Sequence, residues 1–260
     1  MKWWTKTELL DHARSHGFDM TGRTFTNWVQ HGLIANATRR GRGPGAGVAS
    51  VWPEAQAHLL LKLLELRAKT DRLAPLAVIP IGAWLYLGEA VVDVEQAMKA
   101  MKTWSSGYGT VSARRVEGPA RELIEQLGGT DIDPRSRNKF VRLIQDIAPY
   151  PESFDRDAVI AGLEDVLAES PDHWPIGAEG FVFLIESRLW ATRHIDEFSR
   201  ADYIAARAAI LATLAEYQEI VGPDSHEFGI GERFQSSALD LATYFGMKGL
   251  RNETQQDMND

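Results

Sequence analysis

A chain of 260 residues, 44% of them hydrophobic, can bury a substantial core and has room for a small module attached to a larger body. Its net charge of −8 excludes a protein that coats nucleic acid over its whole surface, and the absence of cysteine excludes disulfides, iron–sulfur clusters and thiolate zinc sites. The charge is uneven: residues 1–50 hold seven basic and three acidic side chains, a net of +4, which leaves −12 on the remaining 210. A basic module on an acidic body suits a molecule that meets nucleic acid with one end.

The opening Met-Lys-Trp-Trp-Thr-Lys-Thr-Glu turns polar too early for a secretory leader, so a cytoplasmic location is expected. Thr5 and Glu8 stand at capping-box spacing and predict a helix that buries Leu9, Leu10 and Ala13 and stops at Gly17. A three-residue turn, Phe18-Asp19-Met20, leads to Thr21, an N-cap for a second short helix with Phe25, Trp28 and Val29 on one stripe. Gly32 ends it. Two short helices so tightly joined predict a helix-turn-helix, whose second member enters the major groove. Thr21, Arg23, Thr24, Thr26, Asn27 and Gln30 are the side chains expected to face base edges and phosphates. After the apolar anchor Leu33-Ile34 comes a wing, in which Arg39, Arg40 and Arg42 sit on a glycine-rich backbone that can lie close to a phosphate chain.

The stretch Thr21-Gly22-Arg23-Thr24-Phe25-Thr26-Asn27-Trp28, closing at Gly32-Leu33-Ile34, resembles the start of the MerR-type winged helix-turn-helix, shared with excisionase-like and phage repressor domains. The resemblance covers roughly the first 70 residues. It implies that Arg23, Thr26 and Asn27 face DNA while Arg39, Arg40 and Arg42 hold phosphates. Two features depart from that pattern: Thr26 replaces the usual second arginine, and the wing lacks Gly-Tyr-Arg-x-Tyr, so base preference does not carry over. The long heptad helix through which such proteins pair is not expected either, because no sustained a/d repeat is read beyond residue 72.

Pro53 is placed to open a helix with Ala57, Leu60, Leu61, Leu64 and Leu66 inward, ending near Lys69. The uncharged run Leu73–Gly88 is too short and too interrupted by Pro75 and Pro80 to span a membrane, and reads as buried core. A helix over Glu89–Trp104 follows, with Ala90, Val91, Val94, Ala97, Met98 and Met101 inward, then a turn-rich break from Ser105 to Thr110. Further helices are predicted at Pro119–Leu127, Pro134–Ile147, Arg156–Glu169, Gly180–His194, Ala201–Val221 and Glu232–Phe245, without β alternation or a fixed repeat. The expected fold class is therefore all-α, with a winged helix-turn-helix over 1–72, a helical region over 73–251 and a frayed polar tail over 252–260. A fragment ending near Lys69 is expected to fold alone only marginally and to bind DNA weakly.

No catalytic constellation emerges. His12 and His16 have metal-binding spacing but no third ligand near in sequence, and His173, His194 and His226 match no nucleophile or metal motif. Glu164-Asp165 and Asp196-Glu197 are adjacent pairs that diverge on a helix, and Gly229-Ile230-Gly231 reads as a turn. Trp84, Trp104, Trp174 and Trp190, with Tyr150, Phe154, Phe181 and Phe183, can pack a core or line an apolar pocket. The expectation is a non-enzymatic, sequence-specific DNA-binding regulator that needs no cofactor or metal and makes no membrane contact. Its helical region dimerises, senses a small molecule or contacts a protein. The competing expectation is an excisionase-like or phage or plasmid architectural adaptor that recruits protein partners to a DNA site.

Overall fold

The computed structural model describes residues 2–41, 47–106, 134–147, 155–168, 177–221 and 237–249. Among them the chain is mostly helical, with one small three-stranded antiparallel sheet, and no helix is long and apolar enough to cross a membrane. Outside the described residues lie Arg42 and the wing tip, the helix expected at Pro119–Leu127, and the tail from Asn252. Tyr150, Phe154, His173, Trp174, His226 and the Gly229-Ile230-Gly231 turn lie outside them too.

The described residues divide into two compact units, one of Met1–Gly107 with Ile195–Leu241, the other of Tyr108–His194 with Ala242–Asp260. In the first, strand β1 (Trp3–Thr5) runs directly into helix α1 (Lys6–Ser15). Thr5 closes one and caps the other: its hydroxyl accepts the Glu8 amide at 3.3 Å, and the Glu8 carboxylate accepts the Thr5 amide at 2.6 Å. Helix α2 (Gly22–Gln30) starts at Thr21, whose hydroxyl accepts the Thr24 amide at 3.1 Å. Phe25 and Trp28 are fully buried as their spacing requires, while Val29 is half-buried.

Strands β2 (Thr38–Gly41) and β3 (Val48–Pro53) complete a sheet of order β1-β3-β2. β3 is central, so Val51 faces Thr5 on one side and Thr38 on the other. β1 was not expected, because three residues are too few to show alternation and the strand exists only through its pairing with β3. Trp52 packs edge-on against Phe25 at 5.1 Å, which fastens the sheet to α2.

Pro53 ends β3 and flanks helix α3 (Glu54–Arg67) as its cap rather than opening it as the first helical residue. The buried face of α3 is Ala57, Leu60 and Leu64 as patterned, widened by Leu59 and Leu63, whereas Leu61 and Leu66 stay half-buried. The uncharged run forms helix α4 (Leu73–Gly82), which passes into a π-turn at Ala83–Leu87. Pro80 gives no amide to the carbonyl one turn back, and the wider turn follows it. Gly88, at φ +85, ends the element, and Arg207 donates from Nε to the carbonyls of Trp84 and Leu85 at 3.0 and 2.9 Å. A cation at a helix C-terminus is favoured by the backbone dipole.

Helix α5 (Val94–Ser106) starts five residues later and ends two later than its apolar spacing suggested. Asp93 is the cause: its carboxylate accepts the Gln96 amide at 2.7 Å, a cap that fixes the first turn. Ser105 is thus buried in helix rather than starting a break.

α5 packs behind α2. Gly32 follows α2 at φ +71, and a β-carbon there would lie 2.5 Å from the Ala100 amide nitrogen and 2.7 Å from the Gln96 carbonyl oxygen. Only glycine meets both demands. Beside it, two buried glutamines close a polar network. Gln56 accepts the Ala35 amide at 2.9 Å and donates to the Val91 carbonyl at 2.9 Å, while Gln96 donates to the Leu33 carbonyl at 3.1 Å; the two side-chain amides also pair. The boundary expected after residue 72 falls inside one compact unit, in which these long-range contacts tie Val91 and α5 to residues 31–56. Sequence spacing carries no signal of such contacts.

Helix α9 (Arg200–Val221) completes the first unit through Tyr203, which packs on Trp84 with ring centres 6.0 Å apart. The second unit holds helices α6 (Pro134–Ile147), α7 (Arg156–Ala168) and α8 (Ala178–His194), all close to their predicted ranges. Gly162 of α7 lies against Leu143 of α6. The last described helix spans 237–249 and crosses from one unit into the other in sequence; in the second unit its Gly246 lies on the backbone of Ser187 and its Thr243 accepts from Arg188 at 3.1 Å.

Candidate nucleic-acid interface

The polar side of α2 is set by its cap and its two buried aromatics. With Phe25 and Trp28 inward, Arg23, Thr26 and Gln30 are exposed, and Asn27 and Thr24 are half-buried at the edges. The hydroxyls have structural partners. Thr21 and Thr24 bond each other at 2.9 Å within the cap, and Thr26 donates to the Gly22 carbonyl at 2.9 Å and accepts from Lys6 at 2.8 Å. The side chains of Arg23, Asn27 and Gln30 make no hydrogen bond or ion pair to the described residues. These three are the side chains able to turn to an external acceptor or base edge.

An open hollow of about 860 Å³ runs along this side of α2. Arg23, Asn27 and Gln30 form one wall, and Arg67, Asp71 and Leu73 from the end of α3 and the start of α4 form the other. Neither Lys6 nor Arg67 was picked out from the sequence. Lys6 sits over the Phe25 ring at 5.7 Å, and Arg67 over Trp28 at 5.6 Å, so both long stems cover aromatic carbon while their charges stay at the surface. Their basic ends near helix termini were a signal, but one shared by many surface residues.

Arg39 and Arg40 are both exposed on β2 but point to opposite faces of the sheet, since side chains alternate along a strand. Arg40 is opposite Ala49, on the face of Trp3 and Val51; its guanidinium lies 4.2 Å from the centre of the Trp3 ring, beside a hollow of about 570 Å³ that Arg39 also borders. Arg39 is opposite Ser50, on the face that carries Trp4 and Trp52 and so turns toward α1 and α2. The sequence presented these arginines as one basic run. Strand register separates them.

His12 lies between the Trp4 ring, at 4.8 Å, and the His16 ring, at 4.5 Å. Burial, and then the neighbouring charges of His16, Lys2 and His58, hold its imidazole below the usual histidine range. Among the described residues no group of three His, Asp or Glu is arranged to hold a metal ion. Trp84 and Trp104 are buried in the first unit and Trp190 belongs to the second, where it stacks on His194 at 4.2 Å; Phe183 is exposed. The aromatics singled out from the sequence are thus divided between units. No protein-family model, curated protein or solved structure matches this chain.

Proposed function

We propose that the chain is a sequence-specific regulator of transcription, a cytoplasmic repressor-like protein that binds double-stranded DNA through a MerR-like winged helix-turn-helix at its N-terminus. The observation that carries this reading is the exposed side of α2, where Arg23, Asn27 and Gln30 share one face beside a sheet bearing Arg39. Arginine pairs bidentately with guanine, and asparagine or glutamine with adenine, so this face has the chemistry of base reading in a major groove. Lys6, beside Thr26, and Arg39 supply phosphate contacts that position it, while Thr21 and Thr24 hold the helix start in place. Arg40 and Arg42 extend the basic wing. The helical remainder carries regulation, through a second copy, a small molecule or a protein partner.

The test is selection of DNA fragments from a random pool by the full chain, followed by sequencing. A recurrent motif is expected. Arg23→Ala and Asn27→Ala should each cost about 1–3 kcal/mol on that motif and much less on random DNA, with the fold unchanged. A pool that shows no enrichment overturns sequence-specific binding.

A further inference from the structure

The hollow beside α2 holds a charge that works against its other charges. Among the described residues that line it, Asp71 is the single acid. It stands in the connection between α3 and α4, four residues after Arg67, and is exposed on the wall across from Arg23. Its side chain makes no hydrogen bond or ion pair to the described residues, so it caps no amide of α4. Nearby acids are engaged: Glu8 closes the capping box, Asp11 lies 2.7 Å from Arg14, and Glu65 lies 2.8 Å from Lys62. Arg23 and Arg67, the two guanidinium groups of the hollow, have no carboxylate partner among the described residues either.

We propose that one phosphodiester strand lies in this hollow when α2 enters a groove, drawn in by Arg67 and held off by Asp71, so that Asp71 limits the affinity for DNA. The inference rests on the DNA-binding reading. Base edges in a groove are flanked by sugar–phosphate chains, so a strand beside the contacted bases must run along whatever flanks α2. On the side of α3 and α4 that place is the hollow. Arg67 lies over the Trp28 ring at 5.6 Å, which keeps its stem on the wall and its charge toward the opening. Exposed charges act on one another over about 10 Å at 0.1 M salt, so a strand passing along this wall feels both Arg67 and Asp71. The attraction places the strand, and the repulsion speeds its release.

The test is titration of the full chain with a mixed-sequence duplex and with duplexes recovered by selection, at several salt concentrations. Asp71→Asn should tighten binding to both about fivefold at low salt, with the gain shrinking as salt rises. Asp71→Glu should bind like the natural chain, and Arg67→Gln should weaken both duplexes alike. Glu95→Gln removes an exposed acid from α5, which packs behind α2, and so controls for the change in net charge; it should alter affinity less than about twofold. A gain of affinity cannot come from misfolding, and the melting temperature of Asp71→Asn should match that of the natural chain. An Asp71→Asn gain no larger than that of Glu95→Gln overturns the proposal and leaves DNA binding standing. So does a loss confined to the selected duplexes, which would make Asp71 an acceptor for a base amino group. A natural chain that binds no duplex overturns this inference and the DNA-binding reading together.

Discussion

Arg39 and Arg40 are adjacent in the chain and on opposite faces of the sheet, so under the proposed function they would not be equivalent phosphate ligands. Arg39 shares the face that meets α2, whereas Arg40 lies on Trp3 with an aromatic partner already in place. Arg39→Ala should therefore lower the dependence of log K on log salt by about 0.9, the value of one phosphate contact, and weaken all DNA sequences alike. Arg40→Ala should change that slope much less. Equal effects, measured by titration at several salt concentrations, would count against the assignment of faces. His12 offers a second test. Its imidazole is held low in the fold, so below the ordinary value of 6.5 the unfolded chain takes up a proton that the folded chain resists. This contribution to stability is complete above 6.5 and is lost as pH falls through the depressed folded value. Between about pH 7.5 and about pH 5.5 the melting temperature of the natural chain should fall further than that of His12→Gln.

At the scale of elements, α2 is held from behind by α5 through Gly32. Gly32→Ala adds a left-handed strain and forces a methyl against the backbone of α5, so it should destabilise the chain by roughly 2–5 kcal/mol, read from denaturant unfolding. The helices α1 and α2 were legible from sequence because their caps and apolar stripes are local. Thr5 with Glu8, and Thr21 before Phe25 and Trp28, contain all that the backbone needs to start and bury each helix. The same held for α6 to α9, bounded by proline, glycine and apolar spacing. β1, the true start of α5 and the faces of Arg39 and Arg40 were not legible in the same way. β1 and the arginine faces depend on register with β3, and α5 depends on an Asp93 cap hidden in an apolar run. The candidate site was readable as a set of residue types on α2; that Thr21, Thr24 and Thr26 are engaged in hydrogen bonds, and that Arg67 stands across a hollow from Arg23, required the fold.

For the whole molecule, the important fact is that the unit containing α2 is discontinuous in sequence. A fragment of residues 1–72 lacks the Gln96 side chain that pairs with Gln56 and the Leu33 carbonyl, and lacks the α5 backbone that covers Gly32. Buried amides left without partners cost about 1–3 kcal/mol each, a large share of what so small a core provides. In place of the marginal folding expected from sequence, this fragment should show no cooperative thermal transition by circular dichroism. The discontinuity also sets an order of events during synthesis. The 87 residues from Tyr108 to His194 separate α5 from the part of the chain that holds Tyr203 and Arg207. At roughly 5–20 residues per second, the ribosome needs on the order of 4 to 17 s to cross them. Through that interval the nascent π-turn waits with its Trp84 and Leu85 carbonyls lacking their guanidinium and its Trp84 ring lacking Tyr203. A chain released early thus ends with its first unit incomplete, a substrate for proteolysis rather than a stable competitor of the full-length protein.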